Sequence, residues 1–302
     1  VSDGGLMVEA VRIAIAVGYI GSQYHGSQVQ PNVVTVQGLL QEVLQSLGWA
    51  DSSAHPVTLS SRTDAGVDAR MNIGSFDIES TIWENAREQG IIVALNDHLP
   101  LSIRVWAAEK VDSEFRARDA SSRTYLYRLQ AMKGWKEVSV EALSSWCSMF
   151  EGKHDFANFC RKEEGRSTVR IVQECKPWLD DEGRILGFRI QGPSFVWNQV
   201  RRIASVLNKL ASGKLTANEV EDAISNPEKR VVLGLADSKW LTLWSLDHNG
   251  APHLTSEGQS HQILLQTSTV PAGRLYPVWA EMARLQQDCL HYESWINQLK
   301  SD

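Results

Sequence analysis

Between two strand-like runs, Pro56–Ser60 and Asn72–Ile78, lies the polar stretch Ser60-Ser61-Arg62-Thr63-Asp64-Ala65-Gly66-Val67-Asp68-Ala69-Arg70. Turns held between strands often present catalytic side chains. A carboxylate two positions from an arginine has a charge partner that favours its ionised form, so Asp64 is poised to act as a nucleophile or a base. Taken alone, the same pattern describes a surface ion pair of little energetic value and ordinary glycine turn chemistry.

Other stretches carry chemistry of a different kind. Phe115-Arg116-Ala117-Arg118 is basic, and in the strand that follows Arg123, Tyr125, Tyr127 and Leu129 alternate onto one side. An arginine beside two aromatic rings can stack a base and hold its phosphates; it can equally be a core strand. Further on, Arg201 and Arg202 sit inside an amphipathic helix that has no carboxylate three or four positions away. An arginine turned toward a core needs a carboxylate, and Asp64 is a candidate. Adjacent His154 and Asp155 are read as structural, because neighbouring residues rarely meet at one substrate atom.

The elements that must position these groups are legible as patterns. Val11–Tyr19 reads as a strand leading into a turn at Gly21–Gly26, with Tyr24–Gln30 an exposed loop. Thr35 caps a helix whose apolar residues Val36, Leu39, Leu40, Val43, Leu44 and Leu47 follow helical spacing. Thr81 and Glu84 form a capping box for a helix to about Asp97. Strands are expected at Ile103–Lys110, Thr168–Trp178, Ile185–Gln191, Val231–Leu246 and His261–Gln266, and helices at Val140–Phe150, Phe195–Leu210, Ala217–Ser225 (capped by Thr216 and Glu219) and Trp279–Leu299. The fold class is α+β, a mainly antiparallel mixed sheet in two similar halves, 1–116 and 117–302, with helices packed on one side.

Composition limits the function classes. The 302 residues are 43% hydrophobic, with no apolar run of membrane-spanning length and no leader-like start, Val1–Glu9 reading as a frayed end. Four dispersed cysteines without a C-x-x-C pair fit free thiols in a reducing cytoplasm and argue against structural zinc. The net charge of −6 conceals an asymmetry: residues 104–214 hold 20 basic and 14 acidic residues, leaving −12 for the remainder. An acidic chain with a basic middle can present a positive face to phosphates.

Taken in order, Tyr24-His25-Gly26-Ser27-Gln28-Val29-Gln30, Thr35-Val36-Gln37, Arg62-Thr63-Asp64-Ala65-Gly66-Val67, Phe115-Arg116-Ala117-Arg118, Arg123-Thr124-Tyr125-Leu126-Tyr127, Gly152-Lys153-His154-Asp155-Phe156, Phe195 to Arg201 and Leu275-Tyr276 resemble the motifs of the TruA family of tRNA pseudouridine synthases. The chain departs from that pattern at Asp68, where the family has His, and at Ser27, usually an aromatic residue; segment 247–260 and the tail beyond 277 lie outside it. The resemblance implies a pseudouridine synthase fold with a catalytic cleft between the halves and the isomerisation of uridine to pseudouridine without a cofactor or metal. It implies that Asp64 is the catalytic carboxylate, that Arg201 pairs with it, and that Tyr125 stacks on the flipped uracil and accepts the C5 proton. Arg62, Arg116, Arg118, Arg123 and Tyr127 are expected on RNA, and Leu275 as a wall of the pocket. The implied partner is the anticodon stem-loop of tRNA, at positions 38, 39 or 40, and the implied assembly a cytoplasmic homodimer.

Two other classes compete. A non-catalytic RNA-binding protein on the same scaffold needs the basic and aromatic residues but not Asp64, Tyr125 and Arg201 together. A metal-dependent phosphohydrolase using Asp64 and Asp68 as oxygen ligands needs further ligands that form no recognisable series.

Overall fold

A computed structural model describes residues 9–50, 56–254, 270 and 275–300, and the chain divides into two compact units. The first takes Val1–Ser121, Leu246–Glu257 and Ser294–Asp302; the second takes Ser122–Ser245 and Gly258–Glu293. The expected strand His261–Gln266 lies outside the described residues.

In the first unit β1 (Ala10–Tyr19) leads to α1 (Val36–Ser46), β2 (Thr58–Leu59), β3 (Asp68–Glu79), α2 (Ser80–His98) and β4 (Ile103–Val111). β1 is the middle of an antiparallel sheet, paired with β3 from Ala10↔Glu79 to Tyr19↔Ala69 and with β4 from Arg12↔Val111 to Tyr19↔Ile103. Ile13 to Val17 are all fully buried. Successive strand residues face opposite sides, so both faces of β1 are covered. On the side lacking bulk, Gly18 leaves room for Trp295: a Cβ at Gly18 would lie 2.1 Å from Trp295 Nε1, which donates instead to the Arg70 carbonyl at 3.0 Å.

β3 begins four residues earlier than its apolar pattern suggests, because its polar residues are buried with partners. Arg70 donates from Nε to Ser294 Oγ at 2.7 Å, and burial pushes its pKa down to about 10. Helix α2 also differs from expectation. Its cap position is Glu79, without the expected box from Thr81 and Glu84, and its path is broken at Arg87 (φ 52°).

The second unit contains β5 (Ser122–Tyr127), α3 (Val140–Ser148), β6 (Gly152–Asp155), β7 (Val169–Val172), β8 (Glu174–Leu179), β9 (Ile185–Gly192), α4 (Gln199–Ala211), α5 (Ala217–Ser225), β10 (Leu241–Asp247) and α6 (Tyr276–Leu299). Its strands run in the order β10-β5-β9-β8, and β6 with β7 forms a separate two-stranded sheet. The single strand expected over Thr168–Trp178 is thus two, parted at Gln173, whose N–H turns to the Gln191 carbonyl at 2.8 Å. Only the last third of the expected Val231–Leu246 strand is extended; residues before it are held to α4, Ala236 N donating to the Arg201 carbonyl. In α6, Met282, Leu285 and Cys289, expected as core contacts, are exposed, while Trp279 and Trp295 are buried.

The α5 cap is formed as its sequence suggests: the Glu219 N–H reaches Thr216 Oγ1 at 3.4 Å, and the Thr216 N–H reaches Glu219 Oε2 at 2.8 Å. Replacing Thr216 by Ala removes a side-chain cap, and chemical denaturation should show a loss of about 1 kcal/mol. These hydrogen bonds lower the Glu219 pKa. The stabilisation from the ionised Glu219 is therefore present above the ordinary carboxylate range and is lost as pH falls through the folded-state pKa, so the gap between wild type and Thr216→Ala should narrow in acid by the share of the hydroxyl–carboxylate bond, while the Thr216 Oγ1 cap of the Glu219 N–H persists.

Candidate active site

The backbone of the Asp64 turn is held by partners within the first unit. β2 pairs with β3 for only two residues, Thr58↔Ser75 and Leu59↔Gly74. Side chains then take over from the ladder. Asn72 Oδ1 accepts the Ser61 N–H at 3.2 Å, and Asn72 Nδ2 donates to the Ser61 carbonyl at 2.9 Å and to Tyr19 Oη at 3.2 Å. Tyr19 Oη in turn lies 2.8 Å from Thr63 Oγ1.

Beneath the turn lies the Tyr24–Gln30 segment, expected to be an exposed loop. It is instead buried at Tyr24, Gly26 and Ser27 and forms the floor of the turn. Ser27 Oγ accepts the Thr63 N–H at 2.8 Å, while the Ser27 N–H donates to the Thr63 carbonyl at 3.1 Å. Gly26 is in the left-handed region (φ 93°), and a Cβ there would sit 2.9 Å from the Thr63 carbonyl oxygen.

The far side is fixed by Gly21 and Asp68. The Gly66 N–H donates to the Gly21 carbonyl at 3.2 Å, and the Gly21 N–H donates to Asp68 Oδ1 at 2.8 Å. A side chain at Gly21 would collide with Val67, whose carbonyl oxygen would be 2.0 Å from its Cβ. Asp68 is fully buried. Between these anchors Asp64 is half-buried, its carbonyl accepting the Val67 N–H at 3.1 Å, and Arg62 is exposed. The turn therefore offers one carboxylate at a fixed place, which suits a nucleophile or base. Asp68 Oδ1 is taken up by Gly21, and among the described residues no three His, Cys, Asp or Glu side chains gather at metal-binding distance.

Arg116 and Arg118 belong to the same unit. Both are exposed and line a cavity of about 440 Å³ together with Arg12, whose guanidinium grips Asp77 through two contacts of 2.8 and 2.9 Å.

The second unit positions the remaining residues. Tyr125, on β5 opposite Ile190, is largely buried and meets Phe195 edge-on, the ring centroids 5.3 Å apart. Arg201 is half-buried in the first turn of α4, donating from Nε to the Ala236 carbonyl at 2.9 Å and from Nη1 to Asn198 Oδ1 at 3.3 Å. Asn198 adopts a left-handed conformation (φ 68°) at the helix start. Leu275 precedes α6 and is 66% exposed.

Two expected RNA contacts are corrected. Tyr127 is fully buried, its hydroxyl donating to the Asp237 carbonyl at 2.9 Å and its ring stacked on Phe188; burial drives its pKa up. It is a core residue. Arg123 is also buried, with Nη1 donating to the Pro193 carbonyl, which ties β5 to the loop before α4. Alternation along a strand identified their side but not what covers it. In the other direction, sequence reasoning passed over Tyr19 and Asn72, whose signal is a polar group in an otherwise apolar strand, and gave Ser27 no role in holding the turn.

Ser27→Ala leaves the buried Thr63 N–H without its acceptor. Thermal or chemical denaturation should register about 1–3 kcal/mol.

Comparison with known proteins connects these elements. A family profile described as tRNA pseudouridine synthase matches residues 146–249. The tRNA pseudouridine synthase A of Methanosarcina barkeri is 37% identical over 205 residues, spanning 67% of this chain and 72% of that protein. That of Thermococcus kodakarensis is 34% identical over 242 residues, 80% of this chain and 86% of the relative. With the fold, the Asp64 turn and this extent of likeness together, the chain belongs to the tRNA pseudouridine synthase A family of isomerases.

Proposed function

We propose that the protein isomerises uridine to pseudouridine in the anticodon stem-loop of tRNA, at one or more of positions 38, 39 and 40, with Asp64 as the catalytic carboxylate. The observation that carries this reading is the Asp64 turn. A half-buried carboxylate projects from a backbone pinned on both sides by buried groups, Ser27 and Asp68. Such preorganisation is what a reacting carboxylate requires, since a misplacement of about 1 Å costs a large factor in rate.

The reaction balances without an external reagent. The N1–C1′ bond breaks, the uracil turns, C5 bonds to C1′, the C5 proton leaves to a base and N1 gains a proton. Asp64 acts as nucleophile or base, Arg201 is its cationic partner, and Tyr125 stacks on the flipped uracil and receives the C5 proton. Flipping costs a few kcal/mol, which stacking offsets. Arg62, Arg116 and Arg118, all exposed, take backbone phosphates, and Leu275 walls the base pocket. The working assembly is a cytoplasmic homodimer.

A pseudouridine map of unmodified tRNA transcripts tests the reading. Wild type, without metal or cofactor, should place pseudouridine in the anticodon stem-loop, and Asp64→Ala should place none. Tyr125→Phe, lacking the proton acceptor, should slow single-turnover formation by about 10²-fold or more. If wild type binds the transcripts and modifies none, the protein is an RNA-binding module and the role of Asp64 is wrong.

A further inference from the structure

Within the second unit, a cavity of about 550 Å³ opens between segments 157–162 and 227–232 and α4. Its shape is fixed by Asn158, which is buried. Asn158 Nδ2 donates to the Ala223 carbonyl at 2.9 Å, and its Oδ1 accepts the Val231 N–H at 3.2 Å. One side chain thus ties three stretches of chain together.

The lining is strongly cationic. Arg161, Lys162, Arg202 and Arg230 contribute four positive charges against the single carboxylate of Glu228. Among the described residues, none of these four cations lies within ion-pair distance of a carboxylate. Arg161, Lys162 and Arg230 are exposed at the rim, and the half-buried Arg202 donates from Nη1 to the Gly234 carbonyl at 3.3 Å. Arg161 is oriented as well as charged. Its backbone N–H holds the Trp197 carbonyl at 2.9 Å, and its guanidinium carbon lies 4.3 Å from the centroid of the Trp197 ring, a residue 40% exposed. A guanidinium stacked on an aromatic face keeps its donor edges free for oxygen atoms.

Like charges gathered in a concavity repel one another and raise the local potential, and in a chain of net charge −6 this is a local arrangement. We propose that this cavity is a phosphate-binding site for the tRNA backbone, outside the nucleotide that is isomerised, in which Lys162, Arg202 and Arg230 neutralise successive phosphates and stacked Arg161 donates to a further one. This rests on the reading of the chain as a tRNA-modifying enzyme. The site does not include Arg201, whose guanidinium is directed to Ala236 and Asn198. It is therefore a determinant of tRNA affinity rather than of the reaction at the base.

The test measures binding of an unmodified tRNA transcript across a salt series for wild type and for the double variant Lys162→Ala/Arg230→Ala. Both substituted side chains are exposed, and a thermal melt of each protein checks that the fold is kept. The expected result is a Kd raised about 10-fold or more and a slope of log Kd against log salt reduced by about 2, one for each phosphate contact. The loss should appear in KM for tRNA rather than in kcat. Trp197→Ala, which keeps every charge but frees Arg161, should also raise Kd. An unchanged Kd and slope would overturn the proposal. So would a double variant that binds inorganic pyrophosphate more weakly while holding tRNA as wild type does, which would make the cavity a small-anion site. If Kd and slope change as expected while wild type forms no pseudouridine, the cavity assignment stands and the proposed reaction fails.

Discussion

The hydrogen bond from the Gly21 N–H to the buried carboxylate of Asp68 is the constraint on which the Asp64 turn depends. A carboxylate removed from water must be satisfied by donors fixed around it, so Asp68 determines where Gly21 lies. Gly21 in turn receives the Gly66 N–H through its carbonyl and leaves no space for a side chain beside Val67. The turn is closed from the other side by Ser27 on Thr63. Both residues stand where the TruA pattern has other types. Asp68 and Ser27 thus act as structural parts of this chain's cradle, one bonded to Gly21 and the other to Thr63.

Each unit holds charge in two ways, buried and at the surface. In the first, the polar residues of β3 enter the interior and find partners there, Arg70 on Ser294 and Asn72 on Ser61 and Tyr19. In the second, Arg128 is likewise buried, donating to the Ala283 carbonyl at 2.7 Å with a pKa lowered by burial to about 10, whereas Arg161, Lys162 and Arg230 remain in solvent around a preformed cavity. A buried arginine with carbonyl and hydroxyl partners is a fastening. Exposed cations without carboxylates form a surface for an anion.

Much of this was legible in the sequence. The α+β class, the Thr35 cap, the α5 capping box and the turn carrying Asp64 follow from spacing and residue type. What was hidden has a common physical cause. The polar start of β3, Asp68 and Arg70, looks like turn because a pattern of apolar residues does not distinguish an exposed polar group from one satisfied inside. The same ambiguity placed Tyr24–Gln30 in solvent and Arg123 and Tyr127 on RNA. The Thr81–Glu84 box is absent for a different reason: the helix already begins at Ser80 with Glu79 at the cap position, and Thr81 Oγ1 turns to Glu79 Oε2 at 3.5 Å.

The central claim is that Asp64 performs the chemistry and that its turn only has to hold it in place. The most direct measurement is tritium release from tRNA labelled at uridine C5, followed under single-turnover conditions with folded Asp64→Asn protein. That substitution keeps the shape of the turn and removes the charge. The account requires wild type to release the label and Asp64→Asn to release none while binding tRNA with a similar Kd. Release by Asp64→Asn at a rate near that of wild type would contradict it.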